Sequence, residues 1–318
     1  MHFAERINPF PTKSVRPKKE AKMQYKKLCD MTLSNIVLGT EGFGERIDKK
    51  TSFSLMDFYL QNGGNVIDTA RLYCKGLSEE VVGEFLRGKR DKVYISTKCA
   101  HPPTLEDLSN SRLGREDIES DVEKSIKALK TDYIDILWLH RDDITKPVGP
   151  VIDTLNDLVK RGVIRHFGAS NWTFDRIMEA NEYASGTGQM GFCASQALYN
   201  LATRSKIWDI GLAYIDEEKE KYDASEFPVF AFSSQAKGFF EKYAKNDLSA
   251  KAKDRYLNEA SIKTFNLIQE RAKNENETIS SMALKMLQEQ SKFDVFPIIG
   301  PSRLSQLAQT LNVSMQNN

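Results

Sequence analysis

Cysteine is scarce in this 318-residue chain, and its placement argues against two kinds of stabilising site. The four cysteines, Cys29, Cys74, Cys99 and Cys193, are scattered, with no CxxC pair and no cluster with histidine. Zinc sites and disulfide frameworks both need clustered or densely spaced cysteines. We therefore predict no metal site, and we expect reduced thiols in a cytoplasmic protein.

Long apolar runs and an excess of either charge are also absent. No segment approaches the roughly 18 consecutive apolar residues of a membrane span. The chain has 45 Lys and Arg against 44 Asp and Glu, a formal net charge of +1. Proteins that bind nucleic acids or membrane surfaces usually carry a basic excess. We therefore expect a small-molecule partner, with no nucleic acid and no membrane, while the sequence leaves the oligomeric state open.

Neither a signal peptide nor an internal linker is predicted. Residues 1–22 contain Lys, Arg and Pro but not the apolar stretch that a signal peptide needs, and we interpret them as a flexible extension. No Gly/Ser-rich segment divides the remainder, so residues 23–318 are predicted to form one domain.

Short apolar runs alternate with longer amphipathic segments along that domain. Strands are predicted at residues 35–38, 66–68, 93–97, 134–139, 164–169, 194–197, 229–232 and 295–299. Helices are predicted at 51–61, 78–86 (capped by Ser78), 115–129, 151–159, 174–183, 260–273, 279–289 and 303–311. Strict alternation over about 280 residues indicates a parallel sheet with right-handed crossovers. Eight such units predict an α/β fold of the closed (β/α)8 TIM-barrel type, preceded by a β-hairpin at residues 23–33.

Two segments imitate cofactor motifs. Gly39 to Gly44 has the spacing GxxGxG, whereas the dinucleotide fingerprint is GxGxxG, so we interpret it as an ordinary loop. Tyr94 and Lys98 have the Tyr-xxx-Lys spacing of short-chain dehydrogenases, where both residues share one helix face. Here the alternating β-branched segment predicts a strand, on which the two residues would lie ~13 Å apart. Tyr94 is therefore interpreted as structural.

Four polar residues occur where predicted strands end, which is where (β/α)8 barrels carry out their chemistry. The second strand ends at Asp68, with Tyr73 five residues later; the third ends at Lys98, and His140 follows the fourth. Each has a structural alternative: Asp68 and Lys98 as an ion pair, His140 as a core histidine, Tyr73 as a cap on the barrel. Their joint occurrence favours a catalytic set.

The set suits the reduction of a carbonyl group. Hydride attack builds negative charge on the carbonyl oxygen, and a proton must then be supplied. A tyrosine with an ordinary pKa of ~10 becomes a better donor when a nearby ammonium lowers that pKa. An aspartate keeps the lysine charged and in place, and a histidine donates a hydrogen bond to the oxygen. Tyr73 is therefore predicted to be the proton donor.

Several stretches around these residues resemble the aldo-keto reductase superfamily. They are MQYKKLCDMTLSNIVLGT, NVIDTARLYCKGLSEEVVGEFL, VYISTK, YIDILWLHRDD, GVIRHFGASNW, AFSSQAKGFF and PIIGPSRLSQL, spread over residues 23–311. The resemblance implies the catalytic tetrad Asp68, Tyr73, Lys98 and His140. It also implies a hairpin that covers the bottom of the barrel and a nicotinamide cofactor bound without a Rossmann domain.

The same resemblance implies the cofactor contacts. Ser170, Asn171 and Gln196 match the residues that bind the nicotinamide carboxamide, Phe232 matches the aromatic that stacks on the ring, and Lys237 belongs to the pyrophosphate loop. The full set of implied cofactor residues is Thr40, Asp68, Ser170, Asn171, Gln196, Phe232, Ser233, Ser234, Gln235, Lys237, Gly300, Ser302, Arg303 and Gln306.

The sequence departs from the family pattern near the adenosine end. Pro301-Ser302 stands where many NADP-preferring members have Lys-Ser, and Gln309-Thr310 replaces the commoner Glu-Asn pair. Ser302 and Arg303 still offer contacts to a 2′-phosphate, so NADP(H) is predicted in preference to NAD(H).

Loops after the strands are expected to line the substrate pocket. The predicted pocket residues are Phe43, Trp138, Arg141, Trp172 and Tyr199. Aromatic walls suit many aldehydes and ketones, and the run Arg141-Asp142-Asp143 offers contacts to a sugar or other polar carbonyl, or is a solvated loop. We expect an open site and a polar or bulky substrate.

Two other functions remain open at this point. One is an NADPH-binding regulatory subunit with little turnover, as in the barrel β-subunits of potassium channels, which belong to the same superfamily. The other is a structural barrel that no longer binds a cofactor. The sequence leaves the physiological substrate and the direction of the reaction undetermined.

Overall fold

The barrel is closed by eight parallel strands. A computed structural model describes residues 23–103, 111–206 and 211–314. The barrel strands are β3 (Val37–Gly39), β4 (Val66–Asp68), β5 (Tyr94–Cys99), β6 (Ile134–Leu139), β7 (Ile164–Ser170), β8 (Ser195–Leu198), β9 (Val229–Phe232) and β10 (Val295–Ile299). They follow one another in chain order around the ring, and β10 closes it by pairing with β3. The predicted eight-stranded barrel is confirmed, while the predicted extension at 1–22 lies outside the described residues.

Helices lie between and after these strands. They are α1 (Lys49–Gln61), α2 (Leu77–Phe85), α3 (Arg115–Leu129), α4 (Val148–Lys160), α5 (Phe174–Gly186), α6 (Ile215–Ser225), α7 (Phe239–Ala244), α8 (Ala250–Tyr256), α9 (Glu259–Glu275), α10 (Ile279–Glu289) and α11 (Leu304–Leu311). Among the described residues, no helix is long and apolar enough to cross a membrane.

Burial on both faces explains why the barrel strands are apolar throughout. All six residues of β6 are buried, as are five of the six in β5. Strands of a parallel barrel face side chains on the inside and helices on the outside, so neither face meets water. Trp138 packs at a tilt against Phe230 within the barrel, with ring centroids 4.9 Å apart, and Phe230 stacks on Phe296 at 4.7 Å. These large side chains fill the interior below the strand ends.

A hairpin covers the N-terminal end of the barrel, as predicted. It consists of β1 (Tyr25–Leu28) and β2 (Met31–Ser34), paired antiparallel across a two-residue turn. Its apolar side chains belong to the same buried cluster as the barrel interior. Tyr59 of α1 donates its hydroxyl proton to the Ile36 carbonyl at 2.7 Å, just after the hairpin. The hairpin thereby closes the bottom of the barrel, and a cleft that reaches the barrel interior opens at the opposite end.

Three helices were missing from the predicted set. In α6, only Ile215 and Tyr222 are buried, so its charged sequence shows no apolar stripe. The helices α7 and α8 are six and seven residues long, too short for a helical period to stand out. Predicted boundaries elsewhere lie within a few residues of the observed ones, and β6, β9, β10, α3 and α10 match them at both ends.

Candidate active site

A cleft of about 540 Å³ opens at the C-terminal ends of the strands. Its floor contains all four residues of the predicted tetrad, and its walls contain most of the predicted cofactor residues. Those in the lining are Thr40, Asp68, Ser170, Asn171, Gln196, Phe232, Ser233, Ser234, Gln235, Lys237, Gly300, Arg303 and Gln306. The barrel thus brings together side chains that are far apart in the sequence.

A buried ion pair forms the base of the cleft. Nζ of Lys98 donates to Oδ2 of Asp68 at 2.6 Å and to the Thr69 carbonyl at 2.7 Å, and both charged side chains are 2% exposed. The other carboxylate oxygen of Asp68 accepts from Ser96 Oγ at 2.6 Å and from Gln196 Nε2 at 3.0 Å. The carboxylate therefore accepts from three side chains on two strands, β5 and β8, and it fixes the ammonium in one position.

Tyr73 lies beside this ion pair, in the turn Tyr73–Gly76 that follows β4. The ammonium of Lys98 is 4.7 Å from the centroid of the tyrosine ring and interacts with the hydroxyl. Burial raises the pKa of Tyr73, and the charge of Lys98 opposes that rise. The lysine acts in the direction that the sequence argument expected, but burial outweighs it and the pKa remains above its ordinary value. Because its pKa is raised, Tyr73 stays protonated throughout the physiological pH range.

A second buried ion pair holds the loop that carries Tyr73. Arg71 Nη1 contacts Glu79 Oε2 at 2.6 Å, and the Glu79 side chain is fully buried on α2. Thr97 Oγ1 donates to the other oxygen of Glu79 at 2.7 Å. The hydroxyl of Ser78 donates to backbone carbonyls rather than capping the helix: Gly76 occupies the cap position. Sequence reasoning missed Arg71 and Glu79, although a glutamate among the apolar residues of α2 was a signal.

His140 lies across the cleft from Tyr73, with ring centroids 6.4 Å apart. Its backbone N–H donates to the Cys99 carbonyl at 2.9 Å, which continues the β5–β6 ladder by one step. Burial and then the positive charge of Lys98 hold the pKa of His140 well below its usual range. The imidazole is therefore neutral. The ring of His101, which the sequence argument did not single out, packs edge-on against it with centroids 4.7 Å apart.

An unpaired amide oxygen lies on the wall of the cleft where the family resemblance implies that the nicotinamide binds. Asn171 adopts a left-handed backbone, with φ +62°, directly after β7. Its Nδ2 donates to the His140 carbonyl at 3.2 Å and to Ser170 Oγ at 3.0 Å. Its Oδ1 is buried and has no hydrogen-bond partner among the described residues. Buried polar atoms are rarely left unpaired, and a carboxamide N–H donor from a ligand would complete this one. The residues present therefore fit the group that the sequence implies.

Basic side chains surround the outer part of the cleft. Lys237, Lys242, Lys245 and Arg303 are all in the lining, as expected for a pocket that holds phosphate groups. Ser234 Oγ donates to the Ile298 carbonyl at 2.8 Å and so joins the loop after β9 to β10. Ser302 is not in the lining: its backbone N–H and its hydroxyl donate to Oε1 of Gln306, at 2.9 and 3.0 Å.

Four of the five predicted substrate-pocket residues lie elsewhere. Arg141 lines the cleft, but Phe43, Trp138, Trp172 and Tyr199 are packed in the core and are at most 2% exposed. Trp138 points into the barrel two residues before His140, and therefore lies beneath the cleft. Trp172 packs against Phe192. The hydroxyl of Tyr199 pairs with Ser291 Oγ at 2.9 Å behind β8. The sequence positions of these residues near the strand ends did not determine the direction in which their rings point.

No metal-binding arrangement accompanies these residues. Within residues 23–103, 111–206 and 211–314, no three His, Cys, Asp or Glu side chains are grouped so as to hold a metal ion.

Three known proteins illustrate what the chain is similar to. Norsolorinic acid reductase B of Dothistroma septosporum is 32% identical over 208 residues, which cover 60% of this chain and 53% of the relative. Aryl-alcohol dehydrogenase [NADP(+)] of Phanerodontia chrysosporium is 30% identical over 203 residues, covering 57% and 52%. A probable voltage-gated potassium channel subunit beta of Oryza sativa is 30% identical over 191 residues, covering 58% of each. The chain thus spans about half the length of the curated relatives it matches.

The family assignment rests on a longer match. The sequence model of the Aldo/keto reductase family covers residues 35–317, from the start of the first barrel strand to beyond the last helix. Together with the closed barrel and the cleft at its strand ends, this match shows that the chain belongs to the Aldo/keto reductase family of oxidoreductases.

Proposed function

We propose that the protein is an NADP(H)-dependent reductase that converts an aldehyde or ketone to an alcohol, with Tyr73 as proton donor. The observation that carries the proposal is the convergence of Tyr73, Lys98, Asp68 and His140 on one cleft floor. Two similar proteins are named as a reductase and as an NADP(+)-dependent dehydrogenase. Their names agree in kind with a reaction between a carbonyl and an alcohol.

The residues of the cleft act on the carbonyl oxygen. Bound NADPH would supply the hydride to the carbonyl carbon. Neutral His140 would donate an N–H to the oxygen, orient it and stabilise its growing negative charge. Tyr73 would then transfer its proton to that oxygen, and the Lys98 ammonium would stabilise the tyrosinate that remains. Asp68 keeps that ammonium charged in a site from which water is largely excluded.

The cofactor would lie along the wall between β7 and β10. Ser170, Asn171 and Gln196 would hold the carboxamide, Phe232 would stack on the nicotinamide ring, and Lys237 would pair with the phosphates. Arg303 lies in the same lining and supplies a charge for a 2′-phosphate, which supports NADP(H) over NAD(H). Contacts from Ser302 are less well supported, because its hydroxyl is engaged by Gln306.

The substrate would enter beside Arg141, which lines the cleft next to His140. A guanidinium at this position favours carbonyl compounds that carry a hydroxyl or an anionic group. The aromatic side chains predicted to line the substrate pocket are buried in the core instead. A polar or bulky carbonyl compound is therefore a better candidate for the substrate than a small apolar one. A cytoplasmic site of action stays a prediction.

Steady-state NADPH oxidation with a panel of aromatic aldehydes, ketones and sugars tests the proposal. Tyr73→Phe should lower kcat by a factor of about 100 to 10,000, because it removes the acid from the reaction. The Kd for NADPH, measured by calorimetry, should stay close to the wild-type value. Turnover by the variant at the wild-type rate would contradict the role of Tyr73.

A second function is supported by the similarity to a potassium channel β-subunit. In that case the barrel would bind the cofactor and act on a partner, with little turnover of its own. Tight NADPH binding without oxidation of the cofactor above the Tyr73→Phe level, for every member of the panel, would favour this function over the reductase.

A further inference from the structure

A cluster of reactive side chains lies at the end of the barrel opposite the cleft. Cys29 and Asp30 form the turn between β1 and β2, which covers the N-terminal ends of the barrel strands. His166 lies near the start of β7, and Cys193 lies two residues before β8. The hairpin turn thus meets two neighbouring strand entrances, and none of these four residues belongs to the proposed reductase site.

The cluster is connected through side-chain contacts. Nε2 of His166 pairs with Oδ1 of Asp30 at 2.6 Å, and Arg165 Nη2 contacts Oδ2 of the same carboxylate at 2.8 Å. The thiol of Cys29 interacts with both the thiol of Cys193 and the imidazole of His166. His166 is 9% exposed, and its Nδ1 has no hydrogen-bond partner among the described residues. A carboxylate, an imidazole and two thiols therefore form one connected group.

The two thiols differ in acidity. The neighbouring Cys193 thiol, followed by His166, lowers the pKa of Cys29 to about 5, although burial and the Asp30 charge oppose the change. The same contact, together with burial, raises the pKa of Cys193 well above its ordinary value. Contact with Cys29 and Asp30 raises the pKa of His166. The arrangement thus favours a thiolate at Cys29 and a protonated imidazole at His166, with Cys193 as the neutral thiol beside them.

Exposure and backbone geometry distinguish Cys29 from an ordinary buried cysteine. Cys29 is exposed and Cys193 is half-buried, so solutes reach the pair from outside the barrel. The backbone at Cys29 is left-handed, with φ +53°. Gly, Asn or Asp would adopt this conformation at lower energetic cost, so turn geometry does not explain a cysteine there. Cys74 also has a left-handed backbone, with φ +49°, but its Sγ is directed to the Glu41 carbonyl at 3.2 Å, and Cys99 is buried.

We propose that Cys29 and Cys193 form a hydroperoxide-reactive thiol pair that is converted to a disulfide at the closed end of the barrel. The Cys29 thiolate attacks one oxygen of the hydroperoxide; an S–O bond forms and the O–O bond breaks. The departing alkoxide or hydroxide takes a proton from the His166 imidazolium, which leaves a sulfenic acid on Cys29. The sulfur of Cys193 then attacks that of Cys29: an S–S bond forms, the S–O bond breaks, and the departing hydroxide takes the thiol proton of Cys193 and leaves as water. Two thiols and one hydroperoxide thus give one disulfide, one water and one alcohol, or a second water when the oxidant is hydrogen peroxide.

The disulfide would attach the hairpin to the barrel wall. The turn at Cys29 is otherwise held there mainly by the Asp30 contacts to Arg165 and His166 and by packing of the hairpin. Because the catalytic cleft is at the other end, the reaction should not require the reductase chemistry, and the two proposals fail separately.

Peptide mapping under non-reducing conditions tests the pair directly. The full-length protein, treated with a small excess of hydrogen peroxide at neutral pH, should yield a peptide linked through Cys29 and Cys193 that dithiothreitol separates. Cys193→Ser should instead leave a sulfenic acid on Cys29 that dimedone captures. The control Cys74→Ser should form the same linked peptide as the wild type. If peroxide produces no Cys29–Cys193 link in the wild-type protein, the proposal is overturned.

The pH dependence of alkylation tests the role of His166. The fraction of Cys29 modified by iodoacetamide, read by mass spectrometry over pH 4 to 9, should rise with a midpoint near pH 5. His166→Gln should move that midpoint toward about 8.5, the value of an ordinary cysteine. Circular dichroism of the variant checks that the barrel is intact. A wild-type midpoint at the ordinary value would contradict the thiolate on which the mechanism depends.

Discussion

Asp68 is the residue whose loss should disturb the cleft most, because it is the counter-charge of a lysine that is almost fully buried. Asp68→Asn keeps the size of the side chain but leaves the Lys98 ammonium without its partner. Breaking a buried pair in this way typically costs ~3–5 kcal/mol. The free energy of unfolding, measured in urea, should fall accordingly.

The matched control for this substitution is Asp57→Asn. Asp57 also pairs with a lysine, Lys89, at 3.0 Å, but both side chains are well exposed to solvent. Exposed pairs usually contribute less than about 1 kcal/mol. If both variants lose similar stability, burial of the Lys98–Asp68 pair has no special energetic consequence.

For single residues, the sequence predicts which of them lie at strand ends, but it predicts few of their side-chain contacts. Asp68, Lys98 and His140 could be predicted because each terminates an apolar run, and strand ends of a barrel meet at one rim. Glu79 could not be connected with Arg71 from sequence, because that contact depends on how α2 lies against the loop after β4. The orientation of Trp138 was equally hidden, since its strand is apolar on both faces.

Between elements, the helices α2 and α3 approach each other closely at Gly83 of α2. A Cβ there would lie 2.4 Å from the Ala128 carbonyl oxygen and 2.7 Å from the Leu129 Cα, both backbone atoms of α3. Gly83→Ala should therefore lower the free energy of unfolding by ~1–3 kcal/mol, since the helices must move apart.

Gly186, at the end of α5, provides the opposite case. It is exposed, and an added Cβ meets no atom within 4 Å. Gly186→Ala should raise the unfolding free energy by ~0.5 kcal/mol, because alanine loses less backbone entropy in a helix. Thermal and urea unfolding of the two variants should give changes of opposite sign. A stabilised Gly83→Ala would mean that the α2–α3 contact is looser than the structure shows.

Elements were predictable where burial imposes a pattern. The strand β6 and the helix α3 match their predicted bounds because apolar residues on all sides, or on one helical face, mark their extent. The helix α6 had no such mark, since its sequence is mainly charged and it contacts the core through few residues. The helices α6, α7 and α8 were accordingly the least predictable elements.

For the molecule as a whole, the two ends of the barrel have different electrostatic characters. At the cleft, burial and then the positive charge of Lys98 disfavour protonation of His140 and lower its pKa. At the closed end, Cys29 and Asp30 favour protonation of His166. The two histidines therefore affect stability in opposite directions as pH changes, even though both are largely buried. Composition alone, with a net charge of +1, gives no hint of this division.

The dependence of stability on pH isolates the contribution of His140. Its pKa in the folded protein lies well below the usual 6.5, so below pH 6.5 the unfolded chain binds a proton that the folded barrel excludes. The contribution of His140 to stability is thus constant above about pH 7. It is lost as pH falls through 6.5 toward the folded pKa, by at most ~1.4 kcal/mol per pH unit. His140→Gln removes this loss, while His166 and the carboxylates titrate in both proteins and largely cancel in the comparison.

Urea unfolding at pH 7.5, 6.0 and 5.0 should therefore show the wild type losing stability relative to the variant as the solution becomes more acidic. A constant difference across these pH values would mean that His140 takes up its proton in the folded cleft as easily as in the unfolded chain, and a neutral imidazole could not then be its catalytic form.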